Sequence, residues 1–386
     1  MTYDEYVVSR ISVPTSEAEP FCPFGVAYCD KAYSTKCRGC EVSLSDYKRE
    51  FGEQDAPNPE QTKPRAAKYT SEDLRRLQQL PLQQKIQITM SRIMEFHNRF
   101  PGKIYCSFSG GKDSTVLLHI IRRLYSDVPA VFVDTGLEYP EVRQFAKSVE
   151  NVIILRPKMS FRQVIKQYGY PLISKEVSLQ IDVARRNPEG RTALKFEPGN
   201  EHDEKYKGFS IVRWKPVKDS SIPISAKCCT IMKKNPAKCF EKETGMHPIT
   251  GMMAAESINR ETQWREHGCN IYDGKRPLSN PMSFWTEQDV LEYILRYNLE
   301  YASVYGEIVR GEDGLLHTTG CARTGCVYCL FGAHLEKQPS RLQKLRDSHP
   351  KLYNYCMRPW EEGGLGMRGV IDRFNELSPK LAHIYY

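Results

Sequence analysis

The stretch from Tyr105 to Leu118 contains the residues best suited to bind a phosphorylated ligand. An apolar, β-prone run leads into Ser109-Gly110-Gly111-Lys112-Asp113-Ser114, and a run with helical spacing follows. Two glycines let backbone amides approach a ligand closely, and the amides that open the next helix point toward it. A Walker-type loop would need glycine at the position of Cys106, which excludes that type of site. The hexapeptide therefore predicts a phosphate or pyrophosphate site; the alternative is a simple glycine turn between a strand and a helix.

Two charged side chains of this hexapeptide are candidates for catalysis. Lys112 is placed to neutralise phosphate charge. Asp113 could hold Mg²⁺ through water or cap the following helix, and both roles favour a carboxylate at this position.

The thirteen cysteines are the second set of residues whose side chains could bind a metal or act in catalysis. Cys228 and Cys229 are adjacent, and Cys326 and Cys329 form a C-x-x-C turn, so thiolates are paired as zinc and iron–sulfur sites require. The side chains of consecutive residues point in different directions, so two adjacent cysteines bind one small ion poorly. They suit a cluster better, because its irons are separate and each can bind one thiolate. We predict a four-iron four-sulfur (4Fe-4S) cluster on these four cysteines; zinc and metal-free buried thiols are the alternatives. Cys321, in the same loop, is a candidate sulfur-carrying thiol or a packed structural cysteine.

A separate cysteine group lies near the N-terminus. Cys22, Cys29, Cys37 and Cys40 include one C-x-x-C pair and predict a tetrahedral structural zinc site. A second cluster or unligated thiols are the alternatives. Metal binding could supply the stability that such a short module lacks.

The composition is typical of a globular protein in a reducing compartment. Hydrophobic residues make up 40% and charged residues 26% of the 386 residues. No apolar run approaches the ~20 residues of a transmembrane helix, and the N-terminus lacks the features of a signal peptide. We therefore predict a cytoplasmic protein without a membrane partner, in which many thiols indicate metal binding or catalysis rather than disulfides. The net charge of +8 suits a nucleotide or nucleic-acid partner.

The order of the predicted elements indicates an α/β fold with a doubly wound, mostly parallel sheet. The predicted strands are 103–107, 130–133, 151–155 and 248–251, and the predicted helices are 114–124, 140–149, 161–168 and 286–296.

Composition divides the chain into four parts. They are a cysteine-rich module (1–54), a linker with helices (55–102), a nucleotide-binding domain (103–335) and a C-terminal helical extension (336–386). Residues 185–220 are polar and rich in glycine and proline, which predicts an insertion or a mobile lid within the third part.

The hexapeptide and the cysteine segments together resemble a known family. Ser109–Ser114 is similar to the SGGxDS loop of the PP-loop ATP pyrophosphatases, which include phosphoadenylyl-sulfate (PAPS) and adenylyl-sulfate reductases. The segments KCCTIMKKNP and GCARTGCVYC resemble the two halves that hold a 4Fe-4S cluster in the iron–sulfur branch of these reductases. The resemblance covers roughly Lys103 to Gly332. It implies an adenine nucleotide alpha hydrolase-like fold with ATP and Mg²⁺, or an adenylyl-sulfate-type nucleotide, at the loop.

Further site residues are implied by the same resemblance. Asp134-Thr135-Gly136 resembles the family's DTG segment, which implies contact with the nucleotide; an ordinary turn at a strand end is the alternative. Gly251 belongs to a segment similar to the family's glycine-led substrate loop. Arg260 then implies an anion contact, with a surface salt bridge as the alternative. Trp285 belongs to a segment that matches the family's Trp-Thr-x-x-Asp-Val helix, which we interpret as packing.

Two departures from the family pattern shape the functional hypothesis. The family's substrate loop carries arginine where this chain has Met253 and Ala254. Its reductases also have a nucleophilic cysteine near the C-terminus, whereas no cysteine follows Cys356 here. Because reduction of an adenylyl sulfate needs a thiolate to accept the sulfur, reduction becomes the second hypothesis.

The leading hypothesis is an ATP pyrophosphatase-type sulfurtransferase. ATP would adenylate an acceptor oxygen with release of pyrophosphate, and the cluster would deliver sulfur, as in the similar enzymes of DNA phosphorothioation. The expected acceptor is tRNA, DNA or a small molecule, with the basic stretch from Arg341 to Arg358 as a polymer contact. The expected sulfur donor is a cysteine desulfurase. One alternative is a PAPS or adenylyl-sulfate reductase that uses Cys321 or a thiol reductant protein. The other is a non-catalytic regulator that senses nucleotide and metal and binds nucleic acid.

Overall fold

The computed structural model describes residues 67–199, 210–273, 276–378 and 382–386. The predicted zinc ligands Cys22, Cys29, Cys37 and Cys40 lie outside these ranges, so the zinc site stays a prediction. None of the helices described within these ranges has the length and apolar character needed to span a bilayer.

A six-stranded sheet organises the fold. The described strands are β1 (Ile104–Phe108), β2 (Ala130–Val133), β3 (Val152–Leu155), β4 (Leu172–Ile173), β5 (His247–Thr250), β6 (Asn270–Ile271), β7 (Leu278–Ser279), β8 (Ile308–Arg310), β9 (Leu316–Thr318) and β10 (Leu330–Phe331). Six of them form a sheet in the order β3-β2-β1-β5-β7-β6, with parallel pairing except between β6 and β7. The predicted α/β class with a mostly parallel sheet is confirmed.

Helices cover this sheet and continue beyond it. They are α1 (Ser71–Gln78), α2 (Leu82–Arg99), α3 (Lys112–Leu124), α4 (Pro140–Ser148), α5 (Phe161–Tyr168), α6 (Lys175–Arg186), α7 (Arg191–Leu194), α8 (Lys215–Asp219), α9 (Lys227–Cys229), α10 (Asn235–Thr244), α11 (Ile258–His267), α12 (Glu287–Tyr297), α13 (Arg341–Ser348), α14 (Pro350–Met357) and α15 (Met367–Leu377). A π-helical turn (Thr230–Lys234) joins α9 to α10. The strands β1 and β2 are largely buried, as expected for parallel strands covered on both faces.

The first hydrophobic core joins the sheet to the helices before it. Ile86 and Phe96 of α2 pack in one cluster with Val116 of α3 and with Trp285. Trp285 is fully buried, as predicted for its segment, and its Nε1 donates to Thr89 Oγ1 at 2.8 Å. The helices of the predicted linker therefore belong to the core of the nucleotide-binding domain.

A second core contains the region predicted as an insertion. Phe196 and Trp214, on either side of residues 200–209, are buried and pack in one cluster with Phe374 of α15. The parts of 185–220 that the structure describes therefore contribute large apolar side chains to this core, and the insertion or mobile lid stays a prediction. The C-terminal helices share the same core with Cys228.

Candidate active site

The predicted phosphate loop forms the turn between β1 and α3. Ser109 N donates to Ser114 Oγ at 3.2 Å, and the two hydroxyl oxygens lie 3.0 Å apart. Gly110 has a φ of +71°, and a Cβ there would lie 2.9 Å from a backbone carbonyl oxygen of α4. A Cβ on Gly111 would lie 3.1 Å from the hydroxyl of Tyr305. The loop is therefore as compact as its two glycines predict.

Lys112 is held at this loop by groups from the C-terminal half of the chain. Its Nζ donates to the carbonyl oxygen of Ala322 at 2.9 Å and lies 3.0 Å from Glu287 Oε1. The same nitrogen lies 5.5 Å from the ring centroid of Tyr305, a cation–π distance. A phosphate bound at the loop would share or replace these partners.

Asp113 carries a buried carboxylate oxygen, Oδ1, that has no hydrogen-bond partner. Burial raises the pKa of this carboxyl, although Lys112, Arg323 and Arg260 act in the opposite direction. A buried acceptor without a partner costs free energy. An oxygen in this state is suited to bind a divalent cation, which prefers oxygen ligands.

Asp134 follows β2, as predicted, and its carboxylate is committed to α4. Arg143 and Lys147 of that helix lie 2.7 and 3.3 Å from its oxygens. Although burial opposes the effect, hydrogen bonds from these two residues lower the pKa of Asp134. The contacts give Asp134 a structural role, and its predicted contact with a nucleotide stays a prediction.

Thr135 and Gly136 shape the turn after Asp134. Thr135 Oγ1 donates to Glu138 Oε1 at 2.7 Å and accepts from the backbone N–H of Leu137 at 3.1 Å. Gly136 has a φ of +73°, which favours glycine. The turn therefore fixes the carboxylate of Glu138.

Gly251 and Arg260 lie beside the phosphate loop. A Cβ on Gly251 would lie 3.2 Å from the carbonyl oxygen of Asp113, which explains the requirement for glycine. Arg260 forms an ion pair with Glu256, and Arg323 binds the same carboxylate at 2.5 Å. Burial and the nearby Arg323 lower the pKa of Arg260. Arg260 is thus one member of a charged cluster at the loop.

A cavity of about 180 Å³ opens at the carboxyl ends of β1 and β2. Its walls include Ser109 of the phosphate loop, Glu138 and Tyr139 after β2, and Lys233 and Thr324 from the two cysteine segments. Ligands of open α/β sheets bind at this end of the strands. The cavity therefore connects the phosphate loop to the cysteine segments.

The four predicted cluster ligands come together in space. Burial raises the pKa of Cys228, and the neighbouring thiols of Cys229, Cys326 and Cys329 add to the effect. Burial likewise raises the pKa of Cys329 to about 11. In the part of the chain that the structure describes, no group of three or more His, Cys, Asp or Glu residues is arranged to hold a metal ion. The thiols are therefore electrostatic neighbours that do not surround a common point for one ion.

Lys233 connects these thiols to the cavity. Its ammonium lies 3.7 Å from Glu138 Oε1. Although burial opposes the effect, Cys326 and Glu138 raise the pKa of Lys233, and part of the effect is a hydrogen bond with the Cys326 thiol. A charged lysine at this point stabilises a thiolate and attracts an anion.

Cys321 lies one side chain away from the cavity. Burial raises the pKa of its thiol, whereas a hydrogen bond from the hydroxyl of Tyr139 lowers it. Tyr139 itself lines the cavity. Cys356 has no exposed surface, so it cannot act as a nucleophile toward a ligand in this conformation.

Sequence comparison decides the family. The sequence pattern of the phosphoadenosine phosphosulfate reductase domain matches residues 103–176 and 173–330, which is more than half of the chain. The chain belongs to the PAPS reductase domain family. The match runs from β1 to β10 and includes both the phosphate loop and the cysteine segments.

Individual relatives of this PAPS reductase domain protein are distant. An uncharacterized protein of Methanocaldococcus jannaschii is 25% identical over 292 residues, which cover 73% of this chain and 45% of that protein. The chain thus spans less than half the length of that relative. Sulfate adenylyltransferase subunit 2 of Shewanella loihica is 26% identical over 231 residues, covering 58% of this chain and 65% of that protein. The PAPS reductase of Candida auris, solved as a phosphate complex, superimposes with a TM-score of 0.32 at 16% identity, over 61% of this chain and 90% of that chain.

Several residues of the PAPS reductase domain site are not evident from the sequence. Glu287 follows the helix-capping Thr286, where an acidic residue is common for helix stability alone. Arg323 and Thr324 lie between two cysteines, a position that signals only a loop. Tyr305 reaches Gly111 across almost two hundred residues of sequence. For Lys233 the sequence does carry a signal, because it lies close behind the Cys228–Cys229 pair.

Proposed function

We propose that the chain binds Mg²⁺–ATP and adenylates an oxygen of an acceptor, releasing pyrophosphate, as the first half of an ATP-dependent sulfur transfer. The observation that carries the proposal is the cavity that connects the phosphate loop to the cysteine segments. Its walls combine Ser109 of the predicted phosphate loop with Lys233 and Thr324 of the two cysteine segments. The name of the Shewanella loihica relative, sulfate adenylyltransferase, describes adenylyl transfer and supports this first step.

The adenylation step uses residues of the loop. A lone pair of the acceptor oxygen forms a bond to the α-phosphorus, the bond to the α–β bridging oxygen breaks, and pyrophosphate leaves with that electron pair. Lys112 and the loop amides neutralise the negative charge that develops on the leaving group. Asp113, whose buried Oδ1 has no hydrogen-bond partner, would hold the Mg²⁺ that neutralises phosphate charge. A proton on the acceptor oxygen passes to solvent.

The second half of the reaction needs sulfur from outside the chain. We infer a hydrosulfide that forms when a thiol reductant gives two electrons to the persulfide of a cysteine desulfurase. Its sulfur bonds to the activated atom of the acceptor, the bond from that atom to the adenylated oxygen breaks, and AMP leaves with the electron pair. Nucleic acids and small molecules with a polarised oxygen are the acceptor classes that fit this chemistry.

The donor set of Cys228, Cys229, Cys326 and Cys329 fits a 4Fe-4S cluster better than a zinc ion. Zinc binds all its thiolates at roughly 2.3 Å from one ion, whereas a cluster binds each thiolate to a separate iron and so suits the diverging side chains of two adjacent cysteines. When bound, such a cluster would supply a redox-active iron–sulfur centre near the cavity that Lys233 lines.

Product analysis tests the proposal. Protein purified without oxygen is incubated with ATP labelled at the α- or at the γ-phosphate, Mg²⁺, a persulfide donor, a thiol reductant and one acceptor class, which is bulk tRNA, DNA or a small-molecule extract. We expect AMP and pyrophosphate in equal amounts in the presence of the correct acceptor, and their loss in Lys112→Ala. Release of ADP and phosphate instead would contradict adenylation.

Reduction of an adenylyl sulfate is the second candidate, favoured by the family and by the hydrogen bond between Tyr139 and Cys321. In this case the Cys321 thiolate attacks the sulfur, the sulfur–oxygen bond breaks and AMP leaves. A thiol of an external reductant then attacks Cys321, which releases sulfite and leaves a mixed disulfide. Sulfite formation from adenylyl sulfate and thiol reductant, absent in Cys321→Ser, would support this candidate over the first.

A further inference from the structure

Residues 322–324, between two of the cysteines, form a strap against the phosphate loop. The Ala322 carbonyl oxygen accepts a hydrogen bond from Lys112 Nζ at 2.9 Å. The Thr324 hydroxyl lies 2.6 Å from the hydroxyl of Tyr305, which itself packs against the loop. The strap is therefore fixed to the phosphate site at both of its ends.

Arg323, the central residue of the strap, lies in the charged cluster beside Asp113. Its guanidinium and that of Arg260 bind one carboxylate, Glu256. The side chain of Glu256 is only 16% exposed, whereas that of Arg323 is 58% exposed. Both arginines also interact electrostatically with Asp113. Two guanidinium groups thus hold one internal carboxylate next to a phosphate loop.

We propose that Arg323 and Arg260 form a binding site for the terminal phosphates of the nucleotide, and that Glu256 fills this site in the ligand-free protein. One guanidinium group can bind two oxygens of a phosphate with two hydrogen bonds, as it binds the two oxygens of a carboxylate. A diphosphate group carries more negative charge than one carboxylate, so it displaces Glu256 from the guanidinium groups. Glu256 also accepts from the backbone N–H of Met253 at 3.1 Å, which keeps the released carboxylate in place.

This site explains a departure from the family pattern. The glycine-led loop has Met253 and Ala254 where arginine is expected, and neither side chain can bind an anion. Arg323 comes instead from the cysteine loop, far away in the sequence. The unpartnered Oδ1 of Asp113 would be a ligand for the divalent cation that accompanies a diphosphate. The inference therefore rests on the proposed function and assigns the residues that bind the terminal phosphates of its nucleotide.

The strap also links the nucleotide to the thiols. Arg323 lies two residues from Cys321 and three from Cys326, so a change of its partner is expected to alter the surroundings of both thiols. Occupancy of the phosphate site is expected to change the rate at which an external reagent alkylates Cys321, whose thiol is partly exposed.

Calorimetric titration with Mg²⁺–pyrophosphate tests the site without any turnover. We expect Arg323→Ala to weaken binding by at least about tenfold, since a charge-assisted hydrogen bond is lost, and Arg323→Lys to restore part of the affinity. Glu256→Gln removes the internal competitor and is expected to tighten binding several-fold. Arg310→Ala, which alters an arginine of β8, is the matched control and is expected to leave binding unchanged.

The outcomes separate this inference from the proposed function. Pyrophosphate affinity that is equal in wild type and a folded Arg323→Ala variant would overturn it, as would weaker binding in Glu256→Gln. Either result would show that Arg323, Arg260 and Glu256 form only a structural salt bridge. A different outcome is pyrophosphate binding that depends on Arg323 in a protein that forms no AMP from ATP. That outcome would support the phosphate site and refute the proposed adenylation. Cys321 alkylation that is insensitive to pyrophosphate would overturn the link to the thiols.

Discussion

Lys112 and Glu287 form an ion pair at the phosphate loop, with Nζ 3.0 Å from Oε1. The lysine side chain is 4% exposed and the carboxylate 49% exposed. The buried ammonium of Lys112 is therefore paired with the half-exposed carboxylate of Glu287, which is free to rotate into solvent. The helix that carries Glu287, which the sequence indicates only as packing, contributes directly to the charge of the site.

Removal of this carboxylate is expected to improve nucleotide binding. Glu287→Gln leaves Lys112 without its negative partner, so ATP affinity is expected to rise roughly two- to fivefold, in line with the small energies of half-exposed ion pairs. Lys112→Ala should weaken binding by about tenfold or more. Equilibrium binding of ATP measures both effects. Glu292→Gln, which breaks an exposed pair with Arg296 on the same helix, is the control. Weaker binding in Glu287→Gln would show that the carboxylate contacts the ligand's metal instead.

Asp113→Asn is expected to separate stability from function. Burial raises the pKa of Asp113 in the folded state. At neutral pH the ionised carboxylate therefore costs stability, and the cost disappears as the pH falls through the folded pKa toward the unfolded value of about 3.9. The metal-free variant should have the higher melting temperature at pH 7, by a margin that shrinks in acid, and should lose Mg²⁺-dependent ATP binding. A variant that melts lower than wild type at pH 7 without metal would contradict the assignment.

The regular elements follow closely from the sequence. The helix predicted at 161–168 is α5, and the strand predicted at 130–133 is β2. The strand predicted at 103–107 is displaced by one residue, because the apolar run gives the strand but not its hydrogen-bonded ends. The sequence pattern is clear in this region, because continuous apolar runs, which predict buried strands, alternate with amphipathic runs, which predict helices.

Long-range relationships are the part that the sequence does not provide. The segment before residue 220 looks polar on average, yet Phe196 and Trp214 are core residues, because burial depends on single side chains rather than on mean composition. The partnership of Arg323 with Glu256 depends on how two loops meet. The prediction that Cys228 and Cys329 converge rests on the few other uses of paired thiols in a reducing environment and on the resemblance of both segments to a cluster-binding family.

Asp134→Asn is expected to affect stability more than nucleotide binding. Although burial opposes it, the hydrogen bonds from Arg143 and Lys147 lower the folded-state pKa of Asp134, so its contribution is complete above the unfolded pKa and is lost as the pH falls through the folded one. We expect a loss of about 2 kcal/mol at pH 7, since charged hydrogen bonds to a buried group are removed. Denaturant unfolding at pH 7 and pH 3 checks the value, and the difference from wild type should narrow at pH 3. A large loss of ATP affinity in a stable variant would restore the predicted nucleotide contact.

Single serine substitutions test the cysteine site. Cys326→Ser and Cys329→Ser should lower iron and acid-labile sulfide in anaerobically purified protein and remove visible absorption from the cluster. Cys239→Ser, which changes an exposed cysteine outside the group, should retain full iron content. Zinc in place of iron, lost in the same two variants, would identify a single-ion site and exclude a cluster.

The buried ion pair between Lys85 and Asp289 links the stability of the fold to the phosphate site. Lys85 Nζ lies 2.8 and 2.6 Å from the two carboxylate oxygens, and the side chains are 3% and 11% exposed. Lys85→Ala leaves a buried carboxylate unpaired, which costs about 3 kcal/mol or more. Arg75→Ala, which breaks an exposed pair on α1, should cost less than about 1 kcal/mol.

The same substitution should also alter nucleotide binding. Asp289 lies in α12, one half-turn from Glu287, so loss of its partner loosens the helix that holds the carboxylate beside Lys112. We expect ATP affinity to change in Lys85→Ala and to stay constant in Arg75→Ala, measured well below the melting temperature of both variants. Equal unfolding free energies for the two variants would show that the buried pair contributes no more than a surface pair, and unchanged ATP affinity in Lys85→Ala would show that α12 is held by its apolar contacts alone.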